Sequence, residues 1–400
     1  MSIIVKKYYL IILYSLIIIL GIEVLCLNSF KPKENYERSI MINMEDDISH
    51  ILNNMSLEEK IGQLLIITNN SNVFDEETKN LLEQVKPGGF ILMEPNFSNY
   101  DNTKKYINSL KKYSKIPLII SIDEEGGIVQ RLKYLKDLQP INIPSMYNLG
   151  STNDKNLAYQ VGQVIAEEVR TLGINVVYAP VVDVYSNPDN TVIGDRSFSN
   201  NPYLVSKMAN ALAQGLENNE VIATYKHFPG HGDTIIDSHD DLPLIDKDYQ
   251  SLLNLELIPF KEAIKNKAKI IMIGHLALPN ITGDNTPASL SKKIIDILKN
   301  KLDYQGLIIT DALNMGALTK YYDDSTICSI AINAGNDLLL MPNNIDICIN
   351  DIKNNVSEDR INESVLKILK FKYKYLRKDN SLEKKYLNSK KHQKIIEKIK

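Results

Sequence analysis

The 400-residue chain contains no tryptophan and three cysteines, Cys26, Cys328 and Cys348. Three cysteines exclude a disulfide-framework scaffold. At most one pair forms, and Cys26 falls in an N-terminal segment outside the expected folded body. A surplus of one charge is also missing. Lys and Arg number 46 against 49 Asp and Glu, a net charge of −3, so no global basic field argues for a nucleic-acid partner. The glycine pairs Gly88-Gly89 and Gly126-Gly127 do not lead into Gly-Lys-Ser or Gly-Lys-Thr, which argues against a nucleotide phosphate loop. No internal repeat, low-complexity domain or second self-standing domain stands out. With 44% hydrophobic and 24% charged residues, the chain can build a substantial core.

The ends carry their own signals. Lys6 and Lys7 precede an apolar run from Tyr8 to Ile22, the layout of a basic n-region and an apolar h-region. That run is shorter than the roughly 20 residues of a typical membrane helix, so a cleaved export signal and a retained membrane anchor both stay open. Lipidation at Cys26 fits poorly with Leu25 and Glu23 before it. The expected organisation is residues 1–26 as signal or anchor, 27–44 as linker, 45–375 as one large folded domain, and 376–400 as a basic C-terminal helix or tail. From residue 371 onward, eleven Lys or Arg face three acidic residues. That bias suggests a packed helix followed by a solvated tail, or a basic patch toward anionic lipid or wall polymer. Positive residues before the apolar run place the domain outside the cytoplasm, periplasmic or anchored at the membrane's outer face, with a cytoplasmic location as the alternative.

Within the body, eight β-branched apolar runs alternate with helix-like stretches: Gly62–Ile67, Gly88–Met93, Ile116–Asp123, Asn175–Asp183, Val221–Phe228, Ile270–His275, Gly306–Asp311 and Asp337–Met341. Continuous apolar strands imply burial on both faces, as in a parallel sheet covered by helices. The expectation is an α/β fold, a closed (β/α)8 barrel, with an open doubly wound sheet as runner-up. Asp123, Asp183, Lys226, His227, His275 and Asp311 all fall at or just beyond C-terminal strand ends, where a barrel collects its site from several loops. Ser56 followed by Glu59 signals a helix start, and Ser289-Leu290-Ser291 signals another.

The densest polar stretch runs from Lys226 to His239 and holds His227, His231, His239, Asp233 and Asp237, with Pro229, Gly230 and Gly232 bending it. A metal site is one reading, acid–base work by a histidine oriented by a carboxylate is another, and a polar surface turn is a third. Asp237 and His239, two residues apart, meet if the loop folds back. Asp311 closes an apolar run and suits either a nucleophile toward an acetal carbon or a structural hydrogen-bond acceptor. Asp123, Arg131, Arg196 and Lys226 offer directional bonds to a sugar or carboxylate, or structural ion pairs.

Several blocks together resemble glycoside hydrolase family 3, specifically its bacterial β-N-acetylhexosaminidase branch. They are Asp123-Glu124-Glu125-Gly126-Gly127 with Val129 and Arg131, Ala179 to Val184, Ile193 to Phe198, Lys226 to Gly232, Asp237-Ser238-His239, Pro287 to Ser291, and Thr310 to Leu313 with Met315-Gly316. The resemblance implies a (β/α)8 barrel and a retaining mechanism, with Asp311 as nucleophile and His239, partnered by Asp237, as acid/base. It further implies that Asp123, Arg131, Arg196, Lys226 and His227 line the subsite for terminal N-acetylglucosamine. The substrate expected is a β-N-acetylglucosaminide or muropeptide, acted on by a monomer without cofactor, metal or nucleic acid. Glu124 stands where the family commonly has Gln, a departure that leaves Asp123 and the glycine turn untouched. Alternatives carried with this reading are a β-N-acetylglucosaminide phosphorylase, a β-glucosidase or β-xylosidase, and a non-catalytic wall-binding protein anchored at the membrane.

Overall fold

The computed structural model describes residues 45–376 and 381–399. Contacts divide the chain into Met1–Asn54 and Met55–Lys400; in the first unit, residues 45–54 are helical. The described residues of the second unit build a closed barrel of eight parallel strands. In chain order these are β1 (Leu65–Ile67), β2 (Gly89–Ile91), β3 (Ile119–Ile122), β4 (Val176–Val177), β5 (Ile222–Phe228), β6 (Ile270–Ile273), β7 (Leu307–Ala312) and β8 (Leu338–Leu340). Each strand pairs with its sequence neighbour, and β8 closes on β1 through Leu65 opposite Leu339 and Ile66 opposite Leu340. All eight apolar runs become barrel strands, because their side chains are buried both inside the barrel and under the helices.

Boundaries differ where a local constraint competes with hydrophobicity. Gly62 belongs to the helix Leu57–Gln63, since Ser56 and Glu59 form a reciprocal capping box that starts a helix there. A Cβ at Gly62 would also collide with the Val85 carbonyl, so the helix needs that glycine for close approach. The run after Val177 leaves the ladder at Pro180, which has no N–H to donate, and regains contact through a single Val181–Lys226 bridge. Outside the barrel, the helices Lys155–Leu172 and Pro202–Asn218 pack so closely that Gly162 and Gly215 each face backbone of the partner helix.

Two expectations about the ends are revised. Membrane attachment is corrected: among the described residues no helix is long and apolar enough to cross a membrane. The apolar run from Tyr8 to Ile22, on which that expectation rested, lies outside the described residues, as do Cys26 and the 27–44 linker. At the other end, residues 381–399 pack against the body in place of the solvated tail. The helix Lys390–Ile396 buries His392, Ile395 and Ile396, and His392 lies between the carboxylates of Glu167 and Glu168. Alternation of lysine with isoleucine there marks a helix with one apolar face, so its charge is carried on the other.

Cys328 and Cys348 form a disulfide that joins the helices Asp324–Ala334 and Ile345–Asn355 across a sequence separation of 20. Cross-linking a loop of that length restricts the unfolded chain by about 3 kcal/mol. Replacing both with Ser is expected to lower stability by about that amount, read as a lower midpoint in urea unfolding, while the barrel fold persists in circular dichroism.

Candidate active site

The polar residues named from sequence gather at the C-terminal mouth of the barrel in two connected clusters. The first is built around Glu125, which follows β3 on a short hairpin of Glu124–Gly126 against Val129–Gln130. Its carboxylate is buried and accepts bonds from Arg196 Nε at 2.8 Å and Nη2 at 2.9 Å, while Lys226 Nζ approaches at 2.6 Å. Lys226 also donates to Asp123 Oδ1 at 3.0 Å, and Arg131 lies 3.9 Å from Asp123 Oδ2. Burial pushes the Glu125 pKa upward, but Arg196 and Lys226 outweigh it and hold the carboxyl far below its usual range. Asp123, Arg131, Arg196 and Lys226 are thus brought together around Glu125. Arg196, however, spends its fork on Glu125.

The second cluster surrounds Asp183. This buried carboxylate accepts the backbone N–H groups of His227 and His231 and meets His227 Nδ1 at 2.7 Å. Burial raises its proton affinity, and His227 with the other donors reverses that, so Asp183 stays ionised. With Nδ1 committed to Asp183, His227 turns Nε2 toward Asp311 Oδ2, 4.0 Å away. Asp311, the penultimate residue of β7, is half-buried, and its Oδ1 accepts the Ala312 N–H at 2.8 Å. Burial again opposes ionisation, but His227, Lys226 and that N–H lower the pKa below the usual carboxylate value. The result is an anionic oxygen at the barrel mouth.

His275 steadies the strand end beside it. Burial lowers its pKa and favours the neutral ring. Nε2 donates to the Ala312 carbonyl at 2.9 Å, which leaves Nδ1 to accept from the Ser289 hydroxyl at 2.7 Å.

His239 and Asp237 meet as a dyad on the loop after β5. The Nδ1–Oδ1 distance is 2.8 Å, and Asp237 also accepts the His239 N–H at 2.9 Å. Burial of Asp237 is outweighed by these bonds, so its pKa is lowered. The dyad is far more open than the rest of the site, with the His239 side chain 67% exposed. No side-chain bond joins it to Asp311 or to the Glu125 cluster among the described residues. Backbone bonds tether it: Gly316 N to His239 O at 3.1 Å and Ala317 N to Ser238 O at 3.0 Å, so the loop after β7 holds the loop after β5. A Cβ at Gly316 would press on the His239 and Asp240 carbonyls, which accounts for glycine there. His231, kept neutral by burial that drives its pKa to about 4, reaches Ser238 Oγ at 3.2 Å from beneath.

Sequence reasoning gave no role to Glu125, Asp183, His231, His275 or Ser289, although it placed Asp183 and His275 at strand ends and His231 in the densest polar stretch. Asp183 and His275 had a usable signal, since each is a polar residue at the end of an apolar strand run. Glu125 had a weaker one, an acidic residue squeezed between an acidic pair and a glycine turn. Nothing in the sequence indicates that Glu125, more than Asp123, occupies the buried centre.

The fold and site define a (β/α)8 barrel whose mouth gathers one ionised carboxylate, a buried cluster of directional cations and carboxylates, and an exposed imidazole. Residues 56–371 match the family described as "Glycosyl hydrolase family 3 N terminal domain". The chain belongs to glycoside hydrolase family 3, whose members act on β-linked sugars, and it falls in the bacterial β-hexosaminidase branch. It is 37% identical over 286 residues to β-hexosaminidase A of Pseudoalteromonas piscicida, covering 66% of this chain and 47% of that protein. The chain therefore spans about half the length of that relative. A β-hexosaminidase of Hydrogenovibrio crunogenus is 31% identical over 290 residues, covering 71% of this chain and 79% of the relative. Among solved structures, a family 3 β-N-acetylglucosaminidase from Paenibacillus superposes with a TM-score of 0.81 at 31% identity, covering 86% of this chain and 68% of the other. A β-glucoside phosphorylase superposes with a TM-score of 0.80 at 26% identity, covering 89% and 66%.

Glu124 provides a test of the electrostatics. It is buried, accepts the Leu132 N–H at 3.0 Å, and burial drives its pKa to about 8. An unfolded glutamate releases its proton near 4.5, so the folded state binds more protons between those values and loses stability as pH rises through that window. Glutamine copies the protonated acid without that liability. Glu124→Gln is expected to match the parent in melting temperature near pH 4 and exceed it at pH 8, measured by thermal melts across the range.

Proposed function

We propose that the protein is a retaining exo-β-N-acetylglucosaminidase that removes terminal β-linked N-acetylglucosamine, with peptidoglycan fragments as the natural class of substrate. The observation that carries the reading is the division at the barrel mouth between an ionised, half-buried Asp311 and an exposed His239–Asp237 dyad. Asp311 attacks the anomeric carbon, and a covalent glycosyl-enzyme forms as the glycosidic bond breaks. His239 protonates the departing oxygen. Since Nδ1 is bonded to Asp237, the transferring atom is Nε2. The same Nε2 then takes a proton from water as it attacks the anomeric carbon, which frees Asp311 and retains the β configuration.

Asp123, Arg131, Lys226 and His227 bind the sugar hydroxyls, and Arg196 acts mainly by fixing Glu125 and thereby Lys226. The names of the relatives, β-hexosaminidase and β-N-acetylglucosaminidase, support the acetamido sugar as the group removed. No metal or cofactor is invoked in any step. The Cys328–Cys348 disulfide supports export to an oxidising compartment, in keeping with the basic and apolar N-terminal sequence.

One observation favours a second reading. A similar structure is a β-glucoside phosphorylase, and a histidine acid/base, unlike a carboxylate, does not repel an incoming phosphate dianion. Product analysis in phosphate separates them, because phosphorolysis yields a sugar 1-phosphate and hydrolysis the free sugar.

The direct test is chromophore release from an aryl β-N-acetylglucosaminide, with the matching glucoside as control. Wild type is expected to cleave the acetamido sugar, Asp311→Ala to fall to background, and His239→Ala to lose about 10²–10⁴-fold in kcat on sugar leaving groups. His239→Ala should lose less on the aryl substrate, whose leaving group needs little protonation. Equal rates for Asp311→Ala and wild type would overturn the assignment, as would no turnover by folded protein of either aryl glycosides or muropeptides.

A further inference from the structure

We propose that residues 381–399 act as a strap that positions the sugar-binding hairpin after β3, with His392 as its locking residue. The inference rests on the proposed role of Asp123 and Arg131 as sugar ligands. The segment lies beyond the family match, which ends at residue 371.

Its anchor is unusual for a surface helix. The His392 imidazole is fully buried, with Nε2 2.8 Å from Glu167 Oε2 and Nδ1 2.9 Å from Glu168 Oε1. Lys391 adds a bond to Glu167 Oε1 at 2.8 Å. Burial disfavours the charged ring, and the Glu168 and Glu167 hydrogen bonds reverse that, so His392 is held as a cation between two carboxylates. An apolar residue would secure a helix to the barrel with less desolvation; what an ion triad adds is fixed geometry.

That geometry leads to the active site through one continuous set of bonds. Asn388 donates its N–H to Glu168 Oε1 at 2.6 Å and its side-chain amide to the Gln139 carbonyl at 2.9 Å. The other Glu168 oxygen accepts the Ile141 N–H at 3.1 Å. The strap thus grips residues 139–141 from two sides. Two residues on, Ile143 exchanges bonds with the Gln130 side chain at 3.0 and 3.2 Å, and its carbonyl accepts Gly127 N at 2.9 Å. Gly127 and Gln130 belong to the turn and return strand of the hairpin whose first residues follow Asp123 and whose last leads into Arg131. Arg131 N closes the hairpin on the Asp123 carbonyl at 3.3 Å. His392 is fully buried between Glu167 and Glu168 and bonds to none of the residues proposed to hold the sugar, so it is a positioning residue.

The test uses the full chain. In His392→Ala, the amides of Gly127, Leu132 and Ile143 are expected to exchange hydrogen faster than in wild type. KM for the aryl β-N-acetylglucosaminide should rise about fivefold or more while kcat stays within about twofold, because sugar binding is loosened and the chemistry at Asp311 is not. His392→Gln, which can still donate to one carboxylate, should restore part of both effects. Ile352→Ala, in the helix that follows β8, lowers stability without any link to the hairpin and should leave KM and hairpin exchange as in wild type. The strap is overturned if His392→Ala lowers the melting temperature yet leaves both readouts unchanged. It is equally overturned if Ile352→Ala, at a comparable loss of melting temperature, shifts them as much. Should wild type show no turnover of the sugar, the proposed function fails by itself, and hairpin exchange still decides the strap: faster exchange in His392→Ala supports it, unchanged exchange overturns it.

Discussion

The buried carboxylate of Glu125 is the junction from which the site is hung. It receives the fork of Arg196 from the loop after β4 and the ammonium of Lys226 from β5, and it sits on the hairpin after β3. Three barrel segments are therefore fixed relative to one another by one charge. Without that charge, Arg196 and Lys226 would be two nearby cations in a desolvated site, a state that costs several kcal/mol. Lys226 gains its second partner, Asp123, from this arrangement, and the next residue, His227, is delivered to Asp183 and Asp311. Orientation of the mouth follows from electrostatic necessity at its floor.

The two parts of the site sit in contrasting surroundings. Asp183, Lys226 and His227 are held by short hydrogen bonds in a buried floor that leave them little freedom, and Asp311 accepts one from the Ala312 N–H. The His239–Asp237 dyad is open to solvent and held by the backbone of the loop after β7 and by Ser238 over His231. The structure thus combines a rigid electrostatic floor with a tethered, accessible imidazole–carboxylate pair.

Much of this was legible in the sequence because barrel geometry maps simply onto chain order. Apolar runs buried on both faces gave all eight strands, and polar residues at their ends pointed to Asp123, Lys226, His227 and Asp311. The spacing of two between Asp237 and His239 allowed their contact if the loop folded back, and the family resemblance paired them. What escaped were relations set by tertiary contact. Whether Asp123 or Glu125 turns inward depends on the hairpin's bulged register, which no periodicity reports. The lysine-rich end reads as solvated because its charges dominate composition, while its docking depends on one histidine meeting two glutamates more than 220 residues earlier. Sequence marks Glu124 only as standing where the family commonly has Gln, and it becomes a buried acid with a raised pKa only once the hairpin folds over it.

The central claim is that Asp311 bonds to the sugar. Its most direct test is to trap that state with a 5-fluoro β-N-acetylglucosaminyl fluoride, whose departing fluoride speeds formation of the glycosyl-enzyme and whose ring fluorine slows its hydrolysis, and to map the adduct by peptide mass spectrometry. The account predicts one added sugar mass on the peptide spanning β7, localised to Asp311. An adduct on another residue, or turnover of the reagent by Asp311→Ala at the wild-type rate, would contradict it.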